Sequence, residues 1–595
     1  MMKNDSSIPA LPLSVLSAMI LMGVQAWSQS FDPHPVYGSN ALTKAHPGYD
    51  MADLLPANAS GLPAGFSAHV GGMAFLPNGK LALADFPDPS NGAWKGSVWL
   101  FDGVQTGDKT KVTSKEFANN LYGPTGLTVV NGDIYVIDGN SLRKLTDKDS
   151  NGTAEVTEIT HSWHQNGGQP AVADLVYQNG FFYSAIGSSG GLSVDGASIS
   201  GGTAKIGMDG KVQMLSSGFR NTGGAGINSK GEIFATDNQG EWLPSSKFIN
   251  VVPGRYYGYG GLTQNGKAAS PPAVWIPQGV VSPPNGNAST YAAGMSPGTV
   301  LPIDTGLYAG QYLMGDIRYG NVDRIFLERV GGEYQGALFH FSGGFRAGIY
   351  RMTWGPDGAL YLGGMGGSGY TWSWKDNTVD DNWGLYRMKP NSKPVFEMVS
   401  VKAKAGGFEV KFTQPVDTKV AAANFKVQSW RYVSTGSYGG PQVDMTTLPV
   451  QSVQKSTDPT VIFLGIQGLL ADHVVHIELD SNAVISTTGL KPWTFETWYT
   501  LNRLGTDAFN PTPVFAAQPT RGSFPGWMRA QATHNGGIQI ESETAGSYEI
   551  RDARGTILEE GVLDAHQART SAHRYEAGLY FVSRPGSPGI KVICL

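Results

Sequence analysis

Residues 147–158 read Asp-Lys-Asp-Ser-Asn-Gly-Thr-Ala-Glu-Val-Thr-Glu. Asp147, Asp149 and Asn151 alternate ahead of Gly152, and Glu158 stands twelfth. With this spacing a loop can surround a hard cation such as calcium with oxygens. The flanks (SLRKL before, EVTEI after) read as strands, so the ion would staple a hairpin and its role would be structural. A polar Asx turn without metal is the alternative reading. A second group is aromatic: Tyr370, Trp372, Trp374 and Trp383 stand beside Asp376, Asn377 and Asp381. Rings stack on the apolar faces of sugars while carboxylates and amides take hydroxyls; the same rings could equally pack one domain against the next. The sequence holds no G-x-S-x-G, H-E-x-x-H, phosphate-loop or C-x-x-C-H motif, so no attached c-type haem would accept electrons.

The elements that must position these residues repeat. GGMAFLPNGKLALADF (71–86), GLTVVNGDIYVID (126–138), VADLVYQNGFFYSAIG (172–187), GAGINSKGEIFATDNQG (224–240) and MTWGPDGALYLGG (352–364) each place a turn between two apolar runs. Such phrases are β-hairpins. Their turn glycines, Gly79, Gly132, Gly180, Gly231 and Gly358, lie 53, 48, 51 and 127 residues apart. The first three intervals match one four-stranded propeller blade of roughly 40–50 residues. The last leaves room for a further blade, whose strands 307–330 supply with a degenerate turn. The expectation is an all-β chain: a six-bladed β-propeller over 66–390, an immunoglobulin-like β-sandwich over 391–504, a linker over 505–535 and a small β-sandwich over 536–595.

Composition agrees with turn-rich β structure: 80 glycines in 595 residues, with 15% charged. A formal net charge of −5 gives no reason to expect nucleic-acid binding. The single cysteine, Cys594, cannot form an internal disulfide. The apolar stretch 11–24, followed by small residues at Ala26 and Ser28, reads as a signal peptide over 1–28 and is too short to span a bilayer. A loop-rich leading segment, 29–65, follows. No other run is long enough for a membrane helix, so a secreted or cell-surface protein is expected.

Three phrases in the fourth repeat then carry a resemblance: Gly218-Phe-Arg220-Asn221, Asp237-Asn-Gln239-Gly240-Glu241-Trp242, and Gly254-Arg-Tyr-Tyr257-Gly258. They are similar to segments of the glucose/sorbosone dehydrogenase family of six-bladed propellers, which use pyrroloquinoline quinone (PQQ) and calcium. The resemblance implies that Arg220, Asn221 and Arg351 bind the quinone. It implies also that Gln239 and Gly240 offer oxygens to an active-site calcium, and that His164 is the base. Converging guanidinium groups and a divalent cation suit a tricarboxylated quinone. The chain departs from the pattern in three places. His164-Gln-Asn-Gly-Gly carries one inserted residue, Ala185-Ile-Gly187-Ser188 replaces an expected Asp-Gln, and Glu241 replaces a proline.

A secreted subgroup of the superfamily resembles the chain further, through DNQGEW (237–242), GQYLMGD (310–316) and an FTQPVD…YTLN sandwich (412–417, 499–502). The tail phrases YEIRDARGTIL (548–558) and EAGLYFVSR (576–584) resemble C-terminal sorting domains of type IX secretion cargo; an accessory β-domain is the alternative. Together these imply an oxidoreductase acting on a sugar-like substrate and engaging the secretion machinery. The alternative is a non-catalytic carbohydrate-binding or adhesive surface protein on the same fold.

Overall fold

A computed structural model describes residues 44–594 apart from 56–61, 65, 67–68, 87–94, 166–171, 189–191, 278–292, 295, 319, 366–383, 512–527 and short stretches beyond 532. The aromatic group at 370–383 and the leader therefore lie outside the described residues. Turn chemistry sets the first level of structure. Val130 pairs with Asp133, and Gln178 with Phe181, across the two-residue loops Asn131-Gly132 and Asn179-Gly180. All four loop residues have positive φ, from 52° to 89°, the type I′ geometry that matches the twist of the strands it joins.

The hairpins grow into six four-stranded antiparallel units. The first is Val70–Phe75, Leu81–Asp85, Lys95–Asp102 and Thr113–Tyr122; the second is Gly126–Val130, Asp133–Ile137, Leu142–Thr146 and Glu155–Thr160. The third is Val172–Gln178, Phe181–Ile186, Gly202–Gly207 and Val212–Met214; the fourth is Thr222–Ile227, Ile233–Asp237, Ser246–Val251 and Val274–Ile276. The fifth is Pro297–Ile303, Gln311–Asp316, Asn321–Val330 and Glu333–Ser342. The last combines Gly348–Trp354, Leu360–Met365 and Leu385–Pro390 with Tyr49–Asp53, which pairs with Leu385–Pro390 and so closes the ring with an N-terminal strand. The first strands of successive units are neighbours, and the last touches the first. The architecture is an all-β propeller. The described residues include no α-helix, only short 3-10 turns, so none is long and apolar enough to cross a membrane.

Close approach of the first strands explains their glycines. A Cβ on Gly71 would come within 1.9 Å of the Pro124 carbonyl oxygen, and one on Gly223 within 1.6 Å of that of Pro297. Side chains are thereby excluded where the strands converge, which leaves backbone carbonyls facing inward that need donors.

The strands after residue 395 do not form a detached module. Glu333–Ser342, the outer strand of the fifth blade, pairs with Glu496–Leu501, with Leu338 opposite Trp498. The sheet then continues through His473–Leu479 and Phe425–Tyr432 to Gln442–Leu448, eight strands in all. A second sheet, Met398–Lys404, Gly407–Phe412, Val461–Ile466 and Val450–Lys455, faces it. Val401, Phe408, Val410 and Leu464 share one core with Val475, Ile477 and Tyr499, and with Ala337 and Phe339 of the blade. Propeller and sandwich thus share one sheet and one core, within a compact unit that ends at Pro513. Polar groups are buried along the join: His340 Nδ1 lies 2.8 Å from Asp323, and His476 Nε2 lies 2.8 Å from Glu496.

The second unit, 514–595, is separate. Its described strands form a three-stranded sheet (Met528–Ala532, Ile538–Ser542, Ala568–Thr570) and a four-stranded one (Ile557–Leu563, Gly546–Asp552, Gly578–Ser583, Ile590–Cys594). Ile538, Ile540, Ile550, Leu563 and Val582 make its core. Tyr548 and Tyr575 both donate to Glu559, at 2.9 and 3.0 Å.

Candidate functional site

The carboxylate that ends a blade's second strand positions the site. In the fourth blade this is Asp237, which is fully buried. It accepts the backbone N–H of Arg220 at 3.0 Å and of Asn221 at 2.9 Å. Asp85, Asp138 and Asp316 accept N–H groups from His69, Tyr122 and Ser296 in the same way, so the terminal aspartate is a repeated latch. Burial pushes the Asp237 carboxyl up to about 6, against those N–H groups and the charges of Lys247 and Arg220. Burial likewise pushes the Lys247 ammonium down to about 8, against the field of Asp237. In the third blade, where the resemblance expects Asp-Gln, the backbone N–H of Ser188 donates to Arg220 O at 2.8 Å. The Ser188 hydroxyl donates to Phe219 O at 3.2 Å.

The three phrases of the resemblance meet in space. Tyr257 N and Tyr259 N donate to the carbonyls of Ser217 and Gly218, which lays the Tyr-Tyr-Gly-Tyr segment beside the loop leading to Arg220. The Arg220 guanidinium donates through Nε to Glu241 at 2.9 Å and through Nη1 to Gln239 O at 2.9 Å. Gly240 admits it: a Cβ there would lie 1.9 Å from Arg220 Nε. The Glu241 carboxyl is held below its usual range by its own backbone N–H first, then by Arg220. The phenol of Tyr259, within electrostatic reach, is raised by burial first and then by Glu241.

A loop of the sandwich covers this turn, and sequence reasoning missed it. Trp242 N donates to Thr435 O at 2.7 Å, Gly439 N to Gly240 O at 3.0 Å, and Gly440 N to Pro244 O at 3.2 Å. Glu241 and Tyr438 face each other as an isolated antiparallel bridge. The Tyr438 ring lies over the Arg220 guanidinium at 5.0 Å. The signal in the sequence is slight: one tyrosine in the glycine-rich run Thr-Gly-Ser-Tyr-Gly-Gly (435–440).

The remaining predicted residues lie elsewhere. Arg351 is fully buried where the first strands converge. Its Nε donates to Gly71 O at 2.7 Å, Nη1 to Gly223 O at 2.6 Å and Nη2 to Thr125 O at 2.6 Å. One guanidinium therefore ties the sixth blade to the first and fourth, and to the residue leading into the second. Asp174 of the third blade is its counter-ion at 4.0 Å. His164 is exposed on the short strand Trp163–Gln165, which pairs with Leu192–Val194. It lines a surface cleft with His161, Glu158, Asp195 and Asp209.

A quinone–calcium centre does not fit this arrangement. Four Arg351 donors are spent on the backbone, counting a 3.4 Å bond to Tyr350 O. Arg220 spends Nε on Glu241 and Nη1 on Gln239 O. Gln239 Oε1 is buried without a partner among the described residues, but the two backbone oxygens expected to hold calcium are bonded to Arg220 and Gly439. A divalent ion on Gln239 O, at an ordinary calcium–oxygen distance, would stand within about 5 Å of the guanidinium. At an effective dielectric of 20, that repulsion is on the order of 7 kcal/mol.

In the 147–158 loop, Asp147 Oδ2 accepts Gly152 N at 2.9 Å, while its Oδ1 is buried with no partner among the described residues. Asp149 Oδ2 accepts Asn151 Nδ2 at 2.9 Å, and Glu155 Oε2 accepts Lys148 N at 2.9 Å. Glu158 turns away, to His161 at 2.7 Å and Ser141 at 3.1 Å. No group of three His, Cys, Asp or Glu side chains suited to a metal occurs among the described residues.

A family model described as a domain of unknown function, DUF7133, matches residues 72–268. No curated protein matches. Among solved structures, one from Thermus thermophilus, named as an oxidoreductase (glucose dehydrogenase), is 17% identical, with a TM-score of 0.41 over 57% of this chain and 100% of its own. The PQQ domain of Coprinopsis cinerea pyranose dehydrogenase is 15% identical, with a TM-score of 0.38 over 60% and 98%. The PQQ-bound aldose sugar dehydrogenase of Streptomyces coelicolor is also 15% identical, with a TM-score of 0.35 over 58% and 99%. Likenesses this distant lend nothing to the chemistry, which rests on the chain's own residues.

Proposed function

We propose that the protein is a carbohydrate-binding propeller that does not carry out quinone-dependent oxidation. The commitment of the Arg351 guanidinium to backbone carbonyls, and of Arg220 Nε and Nη1 to Glu241 and Gln239, carries this reading, because a cofactor with three carboxylates would have to displace those bonds. An exported chain of this kind would act at the cell surface, its C-terminal unit serving the secretion machinery. Calorimetric titration of the calcium-loaded full chain tests the reading. Neutral oligosaccharides bind, and PQQ does not bind at micromolar concentration. Sub-micromolar, calcium-dependent PQQ binding that Arg220→Ala abolishes would overturn it.

Calcium belongs, on this reading, to the 147–155 loop. Its ligands are Asp147, Asp149, Asn151 and Glu155, with Glu158 left to its ion pairs; the unpartnered Asp147 Oδ1 supports the assignment. A metal that binds only the folded chain stabilises it by about 2.7 kcal/mol at a hundredfold excess over Kd. Calcium is therefore expected to raise the midpoint of urea unfolding. Asp147→Ala and Glu155→Gln remove that increment, whereas Glu158→Gln keeps it. An increment that survives Asp147→Ala would place the ion elsewhere.

A further inference from the structure

The covered turn of the fourth blade has features that covering alone does not explain. The Tyr438 ring is 51% exposed, although Gly439 beside it is held by the Gly240 carbonyl. The ring is thus displayed to solvent on a fixed backbone. Beneath it the Glu241 side chain is 45% exposed, while its partner Arg220 is 13% exposed. Trp242 has a φ of 66°, a left-handed conformation that opposes a bulky aromatic and that clusters at functional sites. Its N–H bond to Thr435 holds it there, and its ring lies against Gly436, 3.4 Å from where a Cβ would stand. Gln239, 2% exposed, keeps an unpartnered Oε1 under the same loop.

An exposed ring on a rigid support stacks on the apolar face of a pyranose, and a carboxylate fixed by a guanidinium accepts from vicinal hydroxyls with its two oxygens. Glu241, the more exposed of the two, would repel an anionic sugar, and Arg220 offsets the attraction that it would hold for a cationic one. The geometry points to a binding site for one neutral pyranose unit of a glycan, assembled from two parts of the chain: Tyr438 of the sandwich loop is the stacking platform, and Glu241 of the fourth blade, held in place by Arg220, is the acceptor for the sugar hydroxyls. This assignment rests on the carbohydrate-binding reading and locates it. It makes the sandwich part of the site, since without the 433–441 loop the blade has no platform.

The test is calorimetric titration of the calcium-saturated full chain with cellohexaose, xylohexaose and mannohexaose. At least one hexaose binds, and Tyr438→Ala and Glu241→Gln each weaken it at least tenfold. The Tyr438→Ala melting temperature stays at the wild-type value, because its ring is half exposed. Leu470→Ala, an exposed position on another turn of the sandwich, leaves affinity unchanged. Binding that survives both Tyr438→Ala and Glu241→Gln overturns this site while leaving carbohydrate binding in place. An intact chain that binds none of the hexaoses overturns both.

Discussion

Arg351→Ala is expected to lower the stability of the propeller by on the order of 5 kcal/mol, more than most single substitutions cost. The substitution removes the donors of two inward-facing carbonyls, those of Gly71 and Gly223, and one of the two donors to Thr125 O, which keeps Asp174 N. Each buried acceptor left without a partner costs about 1–3 kcal/mol. Asp174 loses its counter-ion as well, and water cannot fill in cheaply where glycine backbones touch. Arg351→Met restores most of the volume but none of the donors, so it should be nearly as damaging. Arg351→Lys keeps the charge and three donors but not the planar fork, and should fall between. Urea unfolding of the full chain measures all three. If Arg351 were held free for a ligand, its removal would leave stability unchanged or raise it, as is common for groups in strained binding sites. A wild-type midpoint for Arg351→Ala would therefore sink the role of structural pin.

Arg351 shows where reading the sequence stops. The hairpins were legible because glycine turns (Asn-Gly, Asp-Gly and, at 230–231, Lys-Gly) act locally: Gly79, Gly132, Gly180, Gly231 and Gly358 all have positive φ. The convergence of the 218–221, 237–242 and 254–258 phrases was legible as well, since all three flank strands of one blade. What a guanidinium does once placed depends on carbonyls 128 to 280 residues away, and no local pattern encodes those. An arginine reaching toward the centre of a propeller reads the same whether it meets a quinone or the backbone of three other blades. The strand Tyr49–Asp53 was illegible for a related reason: YDMAD has no alternation of its own and becomes a strand by pairing with Leu385–Pro390. The continuity of sheet between blade and sandwich was hidden likewise, because an exposed edge strand and a shared one have the same residues until a partner arrives.

Arg324→Met should have the second large effect, by uncoupling the sandwich from the propeller. Arg324, in the fifth blade, is fully buried. Its guanidinium donates to Val399 O at 2.9 Å, to Met398 O and to the Gln311 side chain. The rings of Tyr308 and Phe339 cover it at 4.3 and 4.5 Å. Glu397, also fully buried, is the nearby anion. Burial raises its carboxyl, but the His46 hydrogen bond and charge, Arg324 and the Tyr308 hydroxyl outweigh burial and hold it below its usual range. Methionine fills the space but takes the guanidinium from Met398 O and the Gln311 amide oxygen, leaves Val399 O only the Gln311 amide, and removes a cation from beside a buried carboxylate. Breaking a buried pair in this way costs about 3–5 kcal/mol. The loss falls on the contact between the blade and Met398–Lys404, so unfolding should split into two steps. The sandwich should melt first while near-UV signals from the propeller's aromatics persist. Adding Glu397→Gln to Arg324→Met removes the stranded charge and should recover part of the loss, because the two groups share one network. A single transition at the wild-type midpoint would mean that the shared sheet alone, with Leu338 opposite Trp498, joins blade to sandwich.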